Sequence, residues 1–302
     1  MSLFAFMGTL EIGLIYGLIA IGVYLTFRVL DFPDLTVDGS FTLGAAVTAA
    51  AIVSGIPAVF ATMMGVLAGT LSGLVTAWLN LRFNILHLLA SILTMTALYT
   101  VNLRVMGKPN IALISEPTIF SPFEKLGMGI PNIYVNVLII GLIVFIVGLL
   151  VIGFLNSQYG LAMRAVGSNK RMAQANGIVV HEKVYVGLAM SNALVALGGA
   201  LFAQTNGFAD STMGVGTIVI GLAAVIIGQT LIPSRAMIVI ILSCIMGSIL
   251  YRIAVSLALN ASFIGLNTSD LNLITAVLVA LALVFPQVNK EYKAKKAAWK
   301  KV

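Results

Sequence analysis

Charged residues mark out this chain by their absence. Between Asp38 and Arg82 lie 43 uncharged residues, interrupted once by Ser54-Gly55-Ile56-Pro57. That reads as two membrane spans, at about 36–54 and 58–79. Further charge-free stretches run over 12–27, 83–103, 126–163, 184–209, 211–234, 236–251 and 271–289. Gly127, Gly129 and Pro131 delay the span within 126–163 to about 133–155. Most of these segments approach the ~20 apolar residues that cross a bilayer. The pattern predicts nine apolar helices, with 216–231 the shortest. The runs are continuous rather than alternating, which excludes a β-barrel.

Composition agrees. Hydrophobic residues make up 60% of 302 and charged residues 9%, against about 25% charged in an ordinary globular chain. Twenty-seven charged side chains cannot cover a soluble fold of this size. The expectation is an all-α polytopic membrane protein, one domain over 1–289 followed by a basic tail at 290–302. The net charge of +7 is mostly that tail, whose six lysines and one glutamate give +5. A nucleic-acid partner is therefore not indicated; contact with anionic membrane lipid is, at about 1 kcal/mol per basic residue near the surface.

Charge also sets orientation, because short cytoplasmic loops collect Lys and Arg. The basic loop 160–183 (Arg164, Lys170, Arg171, Lys183) and the tail are separated by four segments, so both can be cytoplasmic. The 107–132 loop then falls outside, and an odd span count puts the N-terminus outside too. No cleavable signal peptide is expected from residues 1–8, which lack a basic region. Lone Cys244 leaves no disulfide to form within the chain.

Several chemistries drop out. Gly107-Lys108 is no P-loop, since Asn102 stands where its first glycine belongs and Pro109 follows the lysine. No ATPase is expected in this chain. His87 and His181 lie 94 residues apart without a nearby cysteine, which predicts no metal site. Ala61, Gly65, Gly69, Gly73 and Ala77 recur every four residues, and Gly13 and Gly17 repeat that spacing. Such stripes let helices approach closely in lipid. Asn102, Asn192 and Gln204 read as interhelical glue, and Glu11 as structural.

Two stretches could carry function. In the hydrophilic loop 156–183, residues 161–176 are good helix formers and Gly177 suits the position just past a helix end. Ala165, Met172, Ala173 and Asn176 are expected on one face, beside Arg164 and Arg171. Such a helix could lie on headgroups or dock to a partner. In the junction 31–40, Asp31, Asp34 and Asp38 are spaced three and four apart, with Pro33 suited to a first helical turn. They read as helix caps; the alternative is that Asp34, Thr36, Asp38 and Ser40 line the cytoplasmic mouth of a translocation path. Arg252 is either a carboxylate clamp or a snorkelling arginine near the outer interface.

The residues then carry a resemblance. Gly160-x-x-x-Arg164-Ala165-x-Gly167-x-Asn169-x-x-x-Ala173-x-x-x-Gly177-Ile178, followed by Gly198-Gly199, resembles ABC-importer permeases of the branched-chain amino acid and ribose type. The stretch Phe32-Pro33-Asp34-Leu35-Thr36-Val37-Asp38-Gly39-Ser40 is closest to permeases of tryptophan/tyrosine-type importers. The resemblance implies a type II importer fold and a multi-pass subunit of the bacterial cytoplasmic membrane with its C-terminus inside. It implies a coupling helix at about Arg164–Asn176, with Arg164, Ala165, Gly167, Ser168, Asn169, Ala173, Asn176 and Gly177 as ATPase-coupling residues. ATP and Mg would sit on separate ATPase subunits, leaving this chain without a cofactor. Further implied partners are a second permease copy and an extracellular binding lipoprotein or periplasmic binding protein. The cargo would be an amino acid, aromatic more than branched-chain, moved by alternating access; a sugar or nucleoside is the alternative. A stand-alone secondary transporter is the reading from another class, disfavoured by the scarcity of intramembrane acids.

Overall fold

The computed structural model describes residues 3–126 and 131–260, with isolated positions 277, 280 and 284 beyond. Helix α1 spans Leu3–Tyr24 and continues as a π-helical turn, Leu25–Val29; α2 covers Thr36–Val53, α3 Ala58–Phe83 and α4 His87–Met106. After a short strand β1 (Asn110–Ala112) and helix α5 (Ser121–Leu126) comes α6, Asn132–Asn156. Two short helices, α7 (Gln158–Ser168) and α8 (Lys170–Ala175), lead into α9, Val180–Asn206. Strand β2 (Phe208–Asp210) precedes α10 (Thr217–Leu231) and α11 (Met237–Asn260).

Seven of the described helices are long and apolar enough to cross a membrane. Eight of the nine apolar segments expected from the sequence are thus helical, and the ninth, 271–289, lies outside the described residues, as does the tail 290–302. One expectation changes in kind. Helix α10 has only 15 residues, about 22 Å at 1.5 Å per residue, too short to cross a 30 Å hydrocarbon core.

Helix α2 sits at the centre, packed against α3, α4 and α9. The sequence's small-residue stripe explains how. On α3, a Cβ at Gly65 would lie 2.8 Å from the Gly44 carbonyl oxygen of α2, and one at Gly69 would lie 2.6 Å from the Asn192 carbonyl oxygen of α9. At Gly73 a Cβ would strike the Leu188 carbonyl of α9. The three glycines let one helix contact two others at backbone distance. The other face of α3 is apolar and exposed, with Phe60, Met63, Leu67 and Leu71 outward.

The two ends of the bundle differ. One carries the turns at 84–86, 157–179 and 232–236, with Arg82, Arg164, Lys170, Arg171 and Lys183. At the other, β1 pairs antiparallel with β2 in the register Asn110↔Asp210, Ile111↔Ala209, Ala112↔Phe208. There the Thr212 hydroxyl donates to Asp210 Oδ1 at 2.6 Å, which holds that carboxyl below its ordinary range.

Candidate functional site

The junction between α1 and α2 is where regular helix gives way. The π-turn at Leu25–Val29 widens the end of α1, and π-turns frequently accompany functional sites. Asp31 follows at φ +52°, in the left-handed region, where Asp is better tolerated than most residues. The chain then climbs into the bundle instead of starting a helix at Pro33, so α2 begins three residues later than the proline suggests. Asp34 caps it: its Oδ1 accepts from the Thr36 backbone N–H at 2.9 Å.

Around that cap lies a closed polar network. Asn192 Nδ2 donates to Asp34 Oδ2 at 2.8 Å, and the Ser40 hydroxyl donates to Asn192 Oδ1 at 2.6 Å. Ser40 also meets Ser72 of α3 at 2.7 Å, and Thr36 meets Thr76 at 2.8 Å. Asp34, Thr36, Ser40 and Asn192 are all fully buried. Asn192 stands twelve residues into α9, about 18 Å from its start, so this is interior glue rather than a span-end contact. A buried carboxylate is costly unless it is hydrogen-bonded; here α2 and α9 supply the bonds.

Asp38 behaves differently. One turn further along α2, its carboxylate reaches across to α10 and accepts from the Gly216 N–H at 2.9 Å and the Ile218 N–H at 2.8 Å. It therefore caps a helix almost two hundred residues away in sequence. The Thr42 hydroxyl accepts from Gly214 N–H beside it. Both α2 and α10 start inside the bundle, with their N-termini converging. Non-helical backbone at such depth is tolerated only where protein buries it or it lines a cavity. A cavity of about 260 Å³ adjoins the break, bounded by α2, α4 and the 211–215 loop.

At the basic end, the loop expected to hold one helix holds two. Asn169 is extended (φ −157°, ψ 101°) and its side chain accepts from Met172 N–H, starting α8 afresh. Gly177 ends α8 as expected: at φ +78°, its N–H donates to Gln174 O and that of Ile178 to Ala173 O, a Schellman motif. The break separates the face expected to be continuous. Ala165, Ser168, Asn169, Met172, Asn176 and Gly177 are exposed and Arg164 is half-buried, whereas Ala173 turns inward and joins the core with Met163 and Val166. Gly167 also faces inward, where a Cβ would strike the Val29 carbonyl. Lys170 Nζ lies 3.2 Å from His87 Nε2, and the His87 ring packs on Phe32 at 4.3 Å. The loop thus rests directly on the α1–α2 junction.

Arg252 is remote from both clusters and stacks on the Tyr16 ring of α1 at 4.1 Å. Among the described residues no group of His, Cys, Asp and Glu could hold a metal ion.

Residues 6–288 match the family of branched-chain amino acid transport system permease components. This chain belongs to that permease family. A tyrosine transport system permease protein of Clostridioides difficile (strain R20291) is 39% identical over 281 residues, covering 93% of this chain and 90% of that one. An uncharacterized protein of Rickettsia prowazekii (strain Madrid E) is 34% identical over 278 residues, covering 91% of this chain and 95% of its own length. A solved structure, PsaBC from Streptococcus pneumoniae in complex with Fab, aligns at 12% identity and a TM-score of 0.49, covering 92% of this chain and 89% of that one. The protein is a multi-pass permease component of a transport system.

In the permease, three features escaped sequence reasoning. The pairing of β1 with β2 and the capping of α10 by Asp38 join residues by tertiary contact, and the division of the basic loop at Asn169 is a local cap. Only the last had a local signal, since Asn is a preferred N-cap residue.

Proposed function

We propose that this permease is the membrane-spanning half of an ATP-driven importer for an amino acid, aromatic rather than branched-chain. Two copies form the path, two ATPase subunits dock at the basic, cytoplasmic end, and an extracellular binding protein delivers cargo at the other; the C-terminal tail is cytoplasmic. ATP and Mg reside on the ATPases, and this chain carries no cofactor. The tyrosine transport name of the Clostridioides relative supports the choice of cargo.

One observation carries the mechanical part of this reading: α7 and α8 form a two-sided element. Their outer side offers Ala165, Met172 and Asn176 to a partner. Their inner side, through Gly167, touches Val29 and Leu30 at backbone distance. That contact leads through Phe32 to Asp34 and so to the start of α2. A push on the outer side therefore reaches the junction without a flexible intermediate, as coupling through packed elements requires. Arg164, Ser168, Asn169 and Gly177 complete the coupling segment by shaping and flanking it. Asp34, Thr36, Asp38 and Ser40 move with α2 as it reorients the path, and Arg252 holds the outer part of α1.

The test is the complete importer in proteoliposomes, with tyrosine as cargo. Ala165→Glu places a charge on the outer side of α7 and is expected to abolish both uptake and cargo-stimulated ATP hydrolysis while the permease stays folded. Wild-type stimulation in that variant would overturn the coupling role. Failure of the wild-type importer to take up any amino acid would overturn the cargo.

A further inference from the structure

The cavity beside the break between α2 and α10 has a lining that points to a ligand. Among the described residues, Asp38 is the only charged one lining it. Its two oxygens are engaged with the start of α10, but each carboxylate oxygen can accept a second bond. Two helix N-termini converge here, each equivalent to about half a positive charge. Asp38 is the acid that faces them at the cavity, while Asp34 is held within the closed network.

Asn102 supplies the second observation. It stands fifteen residues into α4, about 22 Å from its start, and is 1% exposed. Its Nδ2 makes a long bond to the Gly39 carbonyl at 3.4 Å, and its Oδ1 has no partner. A buried acceptor left unpaired is unfavourable by about 1–3 kcal/mol. Where Asn192 satisfies every atom of its amide, Asn102, a residue of the cavity lining, leaves a buried acceptor unpaired. Beside the acceptors of Asp38 and Asn102 the lining carries the hydroxyls of Thr42, Thr96, Tyr99 and Ser211, and among the described residues no cation. Met95 and Tyr99 stand one turn apart on α4 and give the wall a thioether and an aromatic ring. A thioether and a phenol ring suit an aromatic side chain.

We propose that this cavity is a binding station for a primary ammonium group attached to an aromatic side chain, with Asp38 and Asn102 Oδ1 accepting from the ammonium and Met95 and Tyr99 flanking the ring. The station rests on the amino-acid reading above and goes beyond it. It makes the permease itself, and not only its delivering partner, selective against neutral solutes such as sugars and nucleosides.

The experiment uses the full-length permease alone, in nanodiscs, with radiolabelled tyrosine. The competitors are tyramine, which keeps the ammonium and lacks the carboxylate, and 3-(4-hydroxyphenyl)propionate, which does the reverse. Tyramine is expected to displace the label and the propionate is not. Asn102→Leu is expected to weaken tyrosine binding about tenfold, the scale of one lost bond to a charged group, and Asn102→Asp to retain it. Equal displacement by both analogues, or no binding to the folded wild-type permease, would overturn the station without any variant being needed. If the complete importer still takes up tyrosine in that case, the station fails while the cargo assignment stands. If the importer takes up no amino acid, the cargo assignment fails with it.

Discussion

Asp34 and Asp38 lie one helical turn apart at the same end of α2, yet they serve unlike surroundings. Asp34 sits in a closed network that ties the start of α2 to its neighbours: Thr36 of α2, Asn192 of α9 and, through Ser40, Ser72 of α3. Asp38 spans a gap to α10 and borders a cavity also lined by Asn102, whose buried Oδ1 has no partner. The same residue types thus build a closed joint on one side of α2 and an incomplete one on the other. Polar groups in a membrane interior hold helices together when all are satisfied. When one is left unsatisfied, its cost is set against something gained elsewhere, and binding a ligand is such a gain.

The comparison breaks most severely if the closed side is forced apart. Gly69 lets α3 approach α9 within a distance that no Cβ permits, with the Asn192 carbonyl 2.6 Å from the position one would take. Gly69→Leu is expected to abolish the folded permease, seen as loss of the monodisperse peak in detergent chromatography. Recovery of a wild-type peak would mean that α3 and α9 are looser than their packing indicates.

Next in size is Asn192→Leu. It strips Asp34 of one hydrogen bond and Ser40 of its acceptor, both at fully buried positions. An uncompensated bond to a buried charge is expected to cost about 3 kcal/mol, read as a lower midpoint of thermal unfolding in detergent. A change within error would show that water or another group already serves the Asp34 carboxylate.

Asp38→Asn follows. The amide keeps one oxygen for the α10 cap where the carboxylate offers two, and it gives up the charge that favours a helix N-terminus. The expected stability loss is about 1 kcal/mol, in the range for an impaired cap. Tyrosine binding should fall further than stability does, because the ammonium loses its counter-charge. Parallel losses would make Asp38 a cap and nothing more.

These differences also explain what could be read from the sequence. The stripe Gly65, Gly69, Gly73 was legible because helical period alone sets which residues share a face. Gly177 was legible because the Schellman turn needs a left-handed residue at that place. The span pattern was legible down to α10, whose shortness was visible but whose start inside the bundle was not. That start depends on Asp38, and a cap supplied by another helix leaves no mark near the helix it caps. Asn192 and Asn102 illustrate the limit best. Both are isolated amides in apolar helices and both read as glue. Only the neighbours brought in by folding, Asp34 and Ser40 for one and a cavity for the other, tell them apart.

The smallest expected stability change is therefore the sharpest test. Asn102→Leu makes the same replacement as at Asn192, with a side chain of similar size. Here it removes an acceptor that has no partner and a donor whose bond, at 3.4 Å, is long. The Gly39 carbonyl it leaves lies within α2, where the helical ladder provides its own donor. Removing an unpaired polar group from a buried site can be neutral or stabilising, so the unfolding midpoint is expected to stay level or rise slightly while tyrosine binding falls. The pair of leucine variants should then dissociate the two properties: stability lost at 192, binding lost at 102. A destabilisation at 102 as large as that at 192 would show that Asn102 is satisfied glue like its counterpart, and the two sides of α2 would be one kind of joint.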